Sequence, residues 1–271
     1  METVKIENPN VASLPKHRKG ISAALVIVVC LIVAHLFFYY VCGNPSNFDA
    51  KGHPIDNNIF GTLYQGGFVI PIVITLLLTV LALGVERIVA LRKASGKGKV
   101  ADFVIQAKEL LRKGDLKASE ELCDRQQGSV ANILKSALVR YRDVENRNDL
   151  TSDEKASIVE KEIADATALE LPYMQQNLNV IATISSLGTL FGLLGTVLGM
   201  IRSFGAMANE GAPDSIALSL GISEALMNTA MGITTGALAI IVYNYFSSRV
   251  ENITNVVDEV GFAIGQTFKE R

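Results

Sequence analysis

Charge is scarce in this chain: of 271 residues only 19% are Asp, Glu, Lys or Arg, and they sum to a net −2. Near-neutrality argues against a nucleic-acid partner. Cysteine is equally sparse, with Cys30, Cys42 and Cys123 as the full set. Cys30 and Cys42 stand about 18 Å apart along one helix, too far to be bridged within a subunit. The three histidines, His17, His35 and His53, are scattered, and neither a disulfide framework nor a metal-ligand spacing emerges. Enzyme signatures are missing as well. There is no Gly-rich phosphate loop, no HExxH, no GxSxG, and no acid pair sharing a face with a base. No catalytic residue, metal or cofactor is expected.

What the chain has instead is apolar sequence, 49% of it, in blocks. The blocks are Ile21–Cys42, Phe68–Leu91, Leu178–Phe204 and Ile216–Phe246, and the mean hydropathy is +0.31. Each block reaches the roughly 18–20 residues needed to cross about 30 Å of hydrocarbon. The first is longer than the roughly 7–15 residues of a signal-peptide core. It ends in Phe37-Phe38-Tyr39-Tyr40, an interfacial aromatic belt, and so reads as a retained helix.

The expected fold is all-α: a polytopic membrane protein of four transmembrane helices, with long helices extending into a helical cytoplasmic domain. Lys16, Arg18 and Lys19 precede the first block, and Arg87, Arg92, Lys93, Lys97 and Lys99 follow or close the second. By the positive-inside rule the N-terminus is cytoplasmic. The predicted division is 1–20 cytoplasmic, 21–42 first span, 43–66 periplasmic loop, 67–91 second span and 92–177 helical cytoplasmic region. Then come 178–204 as third span, 205–214 as periplasmic turn, 215–246 as fourth span and 247–271 as cytoplasmic helix.

Within 92–177, Val100, Phe103, Val104, Ala107, Leu110 and Leu111 form an amphipathic face that Gly114 stops. Val130, Ile133, Leu134, Ala137, Leu138 and Tyr141 form another. A polar linker over Asp143–Leu150 precedes Thr151-Ser152-Asp153-Glu154, a capping box that opens a long helix. Pro172 interrupts that helix or marks where its membrane part begins.

The polar residues inside the spans are few. Glu224 is the only charged side chain between Ser215 and Ser248, and an intramembrane carboxylate is costly enough to be a functional candidate. Gly188, Gly192, Gly195 and Gly199 fall on one helical face, which suits a tight intramolecular or oligomeric seam. Thr189 and Thr196 share a face, although a membrane threonine commonly bonds its own helix. Thr229 follows Glu224 by five residues, so the two side chains diverge by about 140° and cannot point at one axis. His35 is expected to be structural or snorkelling.

Two segments on consecutive spans resemble a known family. Gly192-Leu-Leu-Gly-Thr-Val-Leu-Gly-Met-Ile-Arg-Ser-Phe204 is similar to a segment of the MotA, TolQ and ExbB proton-channel subunits. Gly221-Ile-Ser-Glu-Ala-Leu-Met-Asn-Thr-Ala-Met-Gly232, followed by Tyr243-Asn244, is similar to another, and Glu86-Arg87 matches more loosely. ExbB is the nearest by motif. The resemblance implies a homo-oligomeric, pentameric ring in the inner membrane of a diderm bacterium. It also implies an ExbD-like single-span partner carrying a membrane Asp, a TonB-like energy transducer, and surrounding membrane lipids. Thr196 and Thr229 fall on the family's pore threonines and Glu224 on its membrane glutamate, with Thr189 as a further lining candidate. TolQ-like envelope maintenance, a MotA-like stator and a non-conducting scaffold are the alternatives. The first span is extra to the family's three, and Leu238 stands where the family carries proline, so a straighter last span is expected.

Overall fold

The computed structural model describes residues 21–50, 52–55, 58–209 and 215–269. The segment 1–20 with Lys16, Arg18 and Lys19, together with Lys51, Asp56, Gly211 and Pro213, lies outside the described residues.

The chain is helical almost throughout. Helix α1 spans Ala23–Leu36 and widens into a π-helical turn over Phe37–Cys42. Next come α2 (Ile59–Gln65), α3 (Val69–Ser95), α4 (Val100–Lys113), α5 (Leu116–Gln126) and α6 (Ser129–Glu145). Helices α7 (Ser152–Gln175), α8 (Leu178–Asn209) and α9 (Ser215–Lys269) complete it. Four helical stretches among the described residues are long and apolar enough to cross a membrane: Ala23–Cys42, Val69–Lys113, Ser152–Gly205 and Ser215–Ile264.

Local chemistry sets most boundaries. Gly114 takes a left-handed φ of 73° at the end of α4, and its N–H bonds the Leu110 and Leu111 carbonyls. At the start of α7 the Thr151 hydroxyl accepts from Glu154 N at 3.3 Å, while the Glu154 carboxylate accepts from Thr151 N at 2.8 Å. Both arms of the capping box are therefore made. Other boundaries differ from the sequence reading. The 43–66 loop contains α2, which Asn58 caps through Gly61 N at 3.1 Å. Helix α6 runs on to Glu145, three residues into the predicted linker, and α8 runs on to Asn209, past the predicted end of its span.

Pro172 does not break the chain; it lies inside α7. The break comes at Gln176–Asn177, where Asn177 has φ 64°. Arg87, with 0% exposure, fixes this junction. Its guanidinium bonds the Glu86 carboxylate at 2.6 and 2.5 Å and the Tyr173 and Met174 carbonyls at 3.1 and 3.3 Å. A cation over the last carbonyls of a helix satisfies groups that have no intrahelical donor. Asn177 adds bonds to the Ile21 carbonyl at 3.1 Å and to Glu86 at 3.5 Å, so the start of α1 joins the same knot.

Two apolar cores result. The larger joins α3 to α4–α7 and the far half of α9 through residues such as Phe103, Leu138, Val159 and Val257. The smaller, at the other end of the spans, packs Ala34, Phe38 and Cys42 on Leu63, Ile70 and Ile74. Helix α9 is unbroken over 55 residues, a rod of about 80 Å that connects the spans to the polar helices.

Candidate functional site

Helices α8 and α9 run antiparallel in near backbone contact, because glycines face each other across the seam. A Cβ at Gly188 would come within 3.1 Å of Gly236 N, and one at Gly192 within 3.0 Å of the Asn228 carbonyl and Gly232 Cα. A Cβ at Gly199 would sit 2.9 Å from Gly221 O and Ala225 N. At Gly195 it would meet Asn228 Cβ and Cγ at 2.4 Å. All four glycines thus line a contact within one chain, where small residues let two membrane helices approach.

The seam carries a pair of hydroxyls at its middle. The Thr196 and Thr229 side chains hydrogen-bond each other across the two helices. Both also reach the Ala225 carbonyl, Thr196 Oγ1 at 3.4 Å and Thr229 Oγ1 at 3.2 Å, and Thr196 contacts the Gly192 carbonyl at 3.2 Å. Both residues are only half-buried. A hydroxyl both donates and accepts, so a bonded pair with one open side can pass a hydrogen bond to water. Thr189 stands apart: it is exposed, and its hydroxyl turns back to the Ser185 carbonyl at 3.3 Å.

Glu224 faces elsewhere. Its Oε1 accepts from Arg202 Nη1 at 2.5 Å, and its side chain retains only 11% exposure. Beneath it lies Gly67, where a Cβ would come within 2.7 Å of the carboxylate. The carboxylate is thus tucked under the α2–α3 turn, away from the threonine pair. One helical turn further, Asn228 donates Nδ2 to the Gly66 carbonyl at 2.9 Å.

Arg202 and Asn228 were not singled out as site residues from sequence. Arg202 closes the charge-free run of α8. An antiparallel hairpin with its turn after about residue 209 brings it level with Glu224, so the pairing was available as a signal. For Asn228 no such signal existed: its partner is a main-chain carbonyl 162 residues away. His35 bonds the Leu31 carbonyl at 2.9 Å, one turn back on its own helix. The three cysteines are free and buried, and burial pushes the Cys123 thiol up to about 12. Among the described residues no cluster of three or more His, Cys, Asp or Glu could hold a metal.

Four apolar helices and a glycine-backed, hydroxyl-bearing seam between two of them define a multi-pass helical membrane protein with a polar track in its spans. A model of the MotA/TolQ/ExbB proton channel family matches residues 126–259, from α6 through most of α9. The chain is 36% identical over 88 residues to a putative ExbB-like biopolymer transport protein of Synechocystis sp., covering 32% of this chain and 42% of that relative. It is 25% identical over 169 residues to the biopolymer transport protein ExbB of Salmonella typhimurium, covering 60% and 69%. Identity to the Tol-Pal system protein TolQ of Pseudomonas aeruginosa is 29% over 122 residues, covering 45% and 53%. The chain belongs to the MotA/TolQ/ExbB family.

Proposed function

We propose that this chain is the proton-channel subunit of an inner-membrane motor of the ExbB kind. It uses the proton-motive force to energise TonB-dependent transport across the outer membrane. The observation that supports this reading is the bonded Thr196–Thr229 pair in the middle of the α8–α9 seam, open on one side. The four apolar blocks contain no Asp, so this chain supplies the walls of the path and a single-span partner supplies the titrating carboxylate. A homo-oligomeric ring, pentameric in the family resemblance, surrounds that partner, and a TonB-like transducer takes up the motion. The polar helices lie in the cytoplasm in this scheme, with 43–66 and the α8–α9 turn in the periplasm, as the flanking Lys and Arg require.

The match to TolQ supports a second reading, envelope maintenance with a TolR-like partner, on the same seam. The experiment reads proton flux in vesicles holding this chain and its single-span partner. Thr196→Val and Thr229→Val keep the side-chain shape but remove the hydroxyl, and each is expected to abolish flux without loss of expression. Thr→Ser at either position is expected to be tolerated. Glu224→Gln is expected to keep partial flux, because the amide can still bond a neighbour while losing the ion pair with Arg202. Full flux in the double Thr→Val variant would remove the pair from the path, and absence of flux with the unmodified chain and its partner would return the chain to the class of non-conducting scaffolds.

A further inference from the structure

We infer that Asn228 is a positioning residue that latches the α2–α3 turn, and with it the 43–66 segment, to the Thr196–Thr229 pair; the inference rests on the channel reading of that pair. Asn228 is fully buried at 0% exposure, in an apolar setting, yet its side chain is an amide. Its Nδ2 spans to the Gly66 carbonyl at 2.9 Å, while its Oδ1 has no donor among the described residues. A leucine of similar size would fill the slot but leave the Gly66 carbonyl without this donor, so the bond to the turn rather than packing accounts for an asparagine.

The slot itself is cut to this residue. Gly195 leaves room for the Asn228 carboxamide, and Gly192 leaves room for its main-chain carbonyl. Held between α8 and the turn, Asn228 cannot move without moving Thr229, its neighbour in the chain. The turn is also gripped a second time, where Gly67 lies over Glu224, four residues before Asn228, and Arg202 pins that carboxylate from α8.

On the far side of the turn the bonds continue outward. Asn58 caps α2 and donates to Asn47 Oδ1 at 3.0 Å. Asn47 in turn donates to the Val41 and Cys42 carbonyls at 2.7 and 3.0 Å, at the end of the π-helical turn of α1. Phe38 stacks on Tyr64 of α2 with centroids 4.9 Å apart. Contacts thus run from the end of α1 to α2, and from Gly66 at the end of α2 to Asn228, whose neighbour in the chain is Thr229. A load applied to the 43–66 segment changes the geometry of the seam, and the reverse holds too.

The test uses full-length protein with its single-span partner in lipid vesicles, read by amide hydrogen exchange and by proton flux. Asn228→Leu removes the bond to Gly66 and keeps the volume. The amides of 59–70 are then expected to exchange about tenfold to a hundredfold faster, with flux reduced severalfold. Asn58→Ala touches neither Asn228 nor the threonines, and is expected to loosen α2 and lower flux as well. Unchanged exchange at 59–70 in Asn228→Leu overturns the latch. So does unchanged flux in Asn58→Ala when its α2 amides exchange faster. Full flux in the double Thr→Val variant overturns the role of the Thr196–Thr229 pair instead, and the exchange measurements still decide whether Asn228 holds the turn.

Discussion

Consider the substitution Arg87→Leu at the junction of α3, α7 and α8. The guanidinium there has no exposed side-chain surface, and its partner Glu86 keeps 12%. The change strands the Glu86 carboxylate and removes the donor for the Tyr173 and Met174 carbonyls at the end of α7. Removing one member of a buried pair typically costs about 3–5 kcal/mol, most of it the penalty of the charge left behind. Taking about 2–4 °C per kcal/mol for a chain of this size class, the midpoint should fall by about 6–20 °C. The assay is thermal unfolding of the purified protein in detergent, with limited proteolysis at the Gln176–Asn177 break as a local readout. Glu86→Gln combined with Arg87→Leu should recover most of the loss, because no charge is stranded. Arg87→Lys should fall between, since a single ammonium cannot serve a bidentate carboxylate and two carbonyls together. A midpoint for Arg87→Leu within about 2 °C of the unmodified protein would refute the reasoning, given the cost that stranding a buried charge carries. It would mean that the ion pair is a bystander to the junction.

Two further outcomes are expected. Gly195→Ala places a Cβ within 2.4 Å of a side chain that has nowhere to go, so detergent unfolding should show a loss of about 1–3 kcal/mol; Gly205→Ala on the same helix meets nothing within 4 Å and should change little. Thr151→Ala should cost about 1 kcal/mol as a lost N-cap, read as faster hydrogen exchange at the start of α7. The main-chain and hydroxyl bonds from Thr151 hold the Glu154 carboxyl below its ordinary value. That increment of stability is therefore present above the ordinary carboxylate pKa and is lost as pH falls through the lowered one.

Much of this architecture was legible because its signals are long or locally closed. Four apolar blocks, the glycine face of α8 and the capping box at Thr151 each depend on residues near in sequence. The missed features are those settled by distant partners. Helix α5 is mostly polar, with Leu122 and Cys123 buried against other helices, and its periodicity is too short to announce it. Pro172 looked like a breaker, yet the chain turns only at Asn177, where a cation brought from 86 residues away receives the loose carbonyls. The same limit applies at the site. The 140° between Glu224 and Thr229 is a property of one helix and could be computed. That the carboxylate is covered by the α2–α3 turn depends on how α3 lies against α9.

Polar groups in the spans divide by where their bonds go, and that division identifies the site better than their mere presence does. Thr75, Thr79, Thr183, Thr189 and Thr234 each return their hydroxyl to the carbonyl four residues back on their own helix. Such bonds satisfy the hydroxyl locally and are as available in an isolated helix as in an assembled protein. Thr196, Thr229 and Ser203 reach the carbonyl four residues back as well, but they, Glu224 and Asn228 also reach a different element: Thr196 to Thr229, Ser203 to the Leu218 carbonyl, Glu224 to Arg202, Asn228 to Gly66. In a medium without water these cross-element bonds exist only when α8, α9 and the α2–α3 turn are docked. Their geometry therefore changes whenever those elements shift, whereas the back-bonded threonines would register nothing. Groups that bond across elements are the ones that register such a shift, and this chain concentrates them within one stretch of the α8–α9 hairpin.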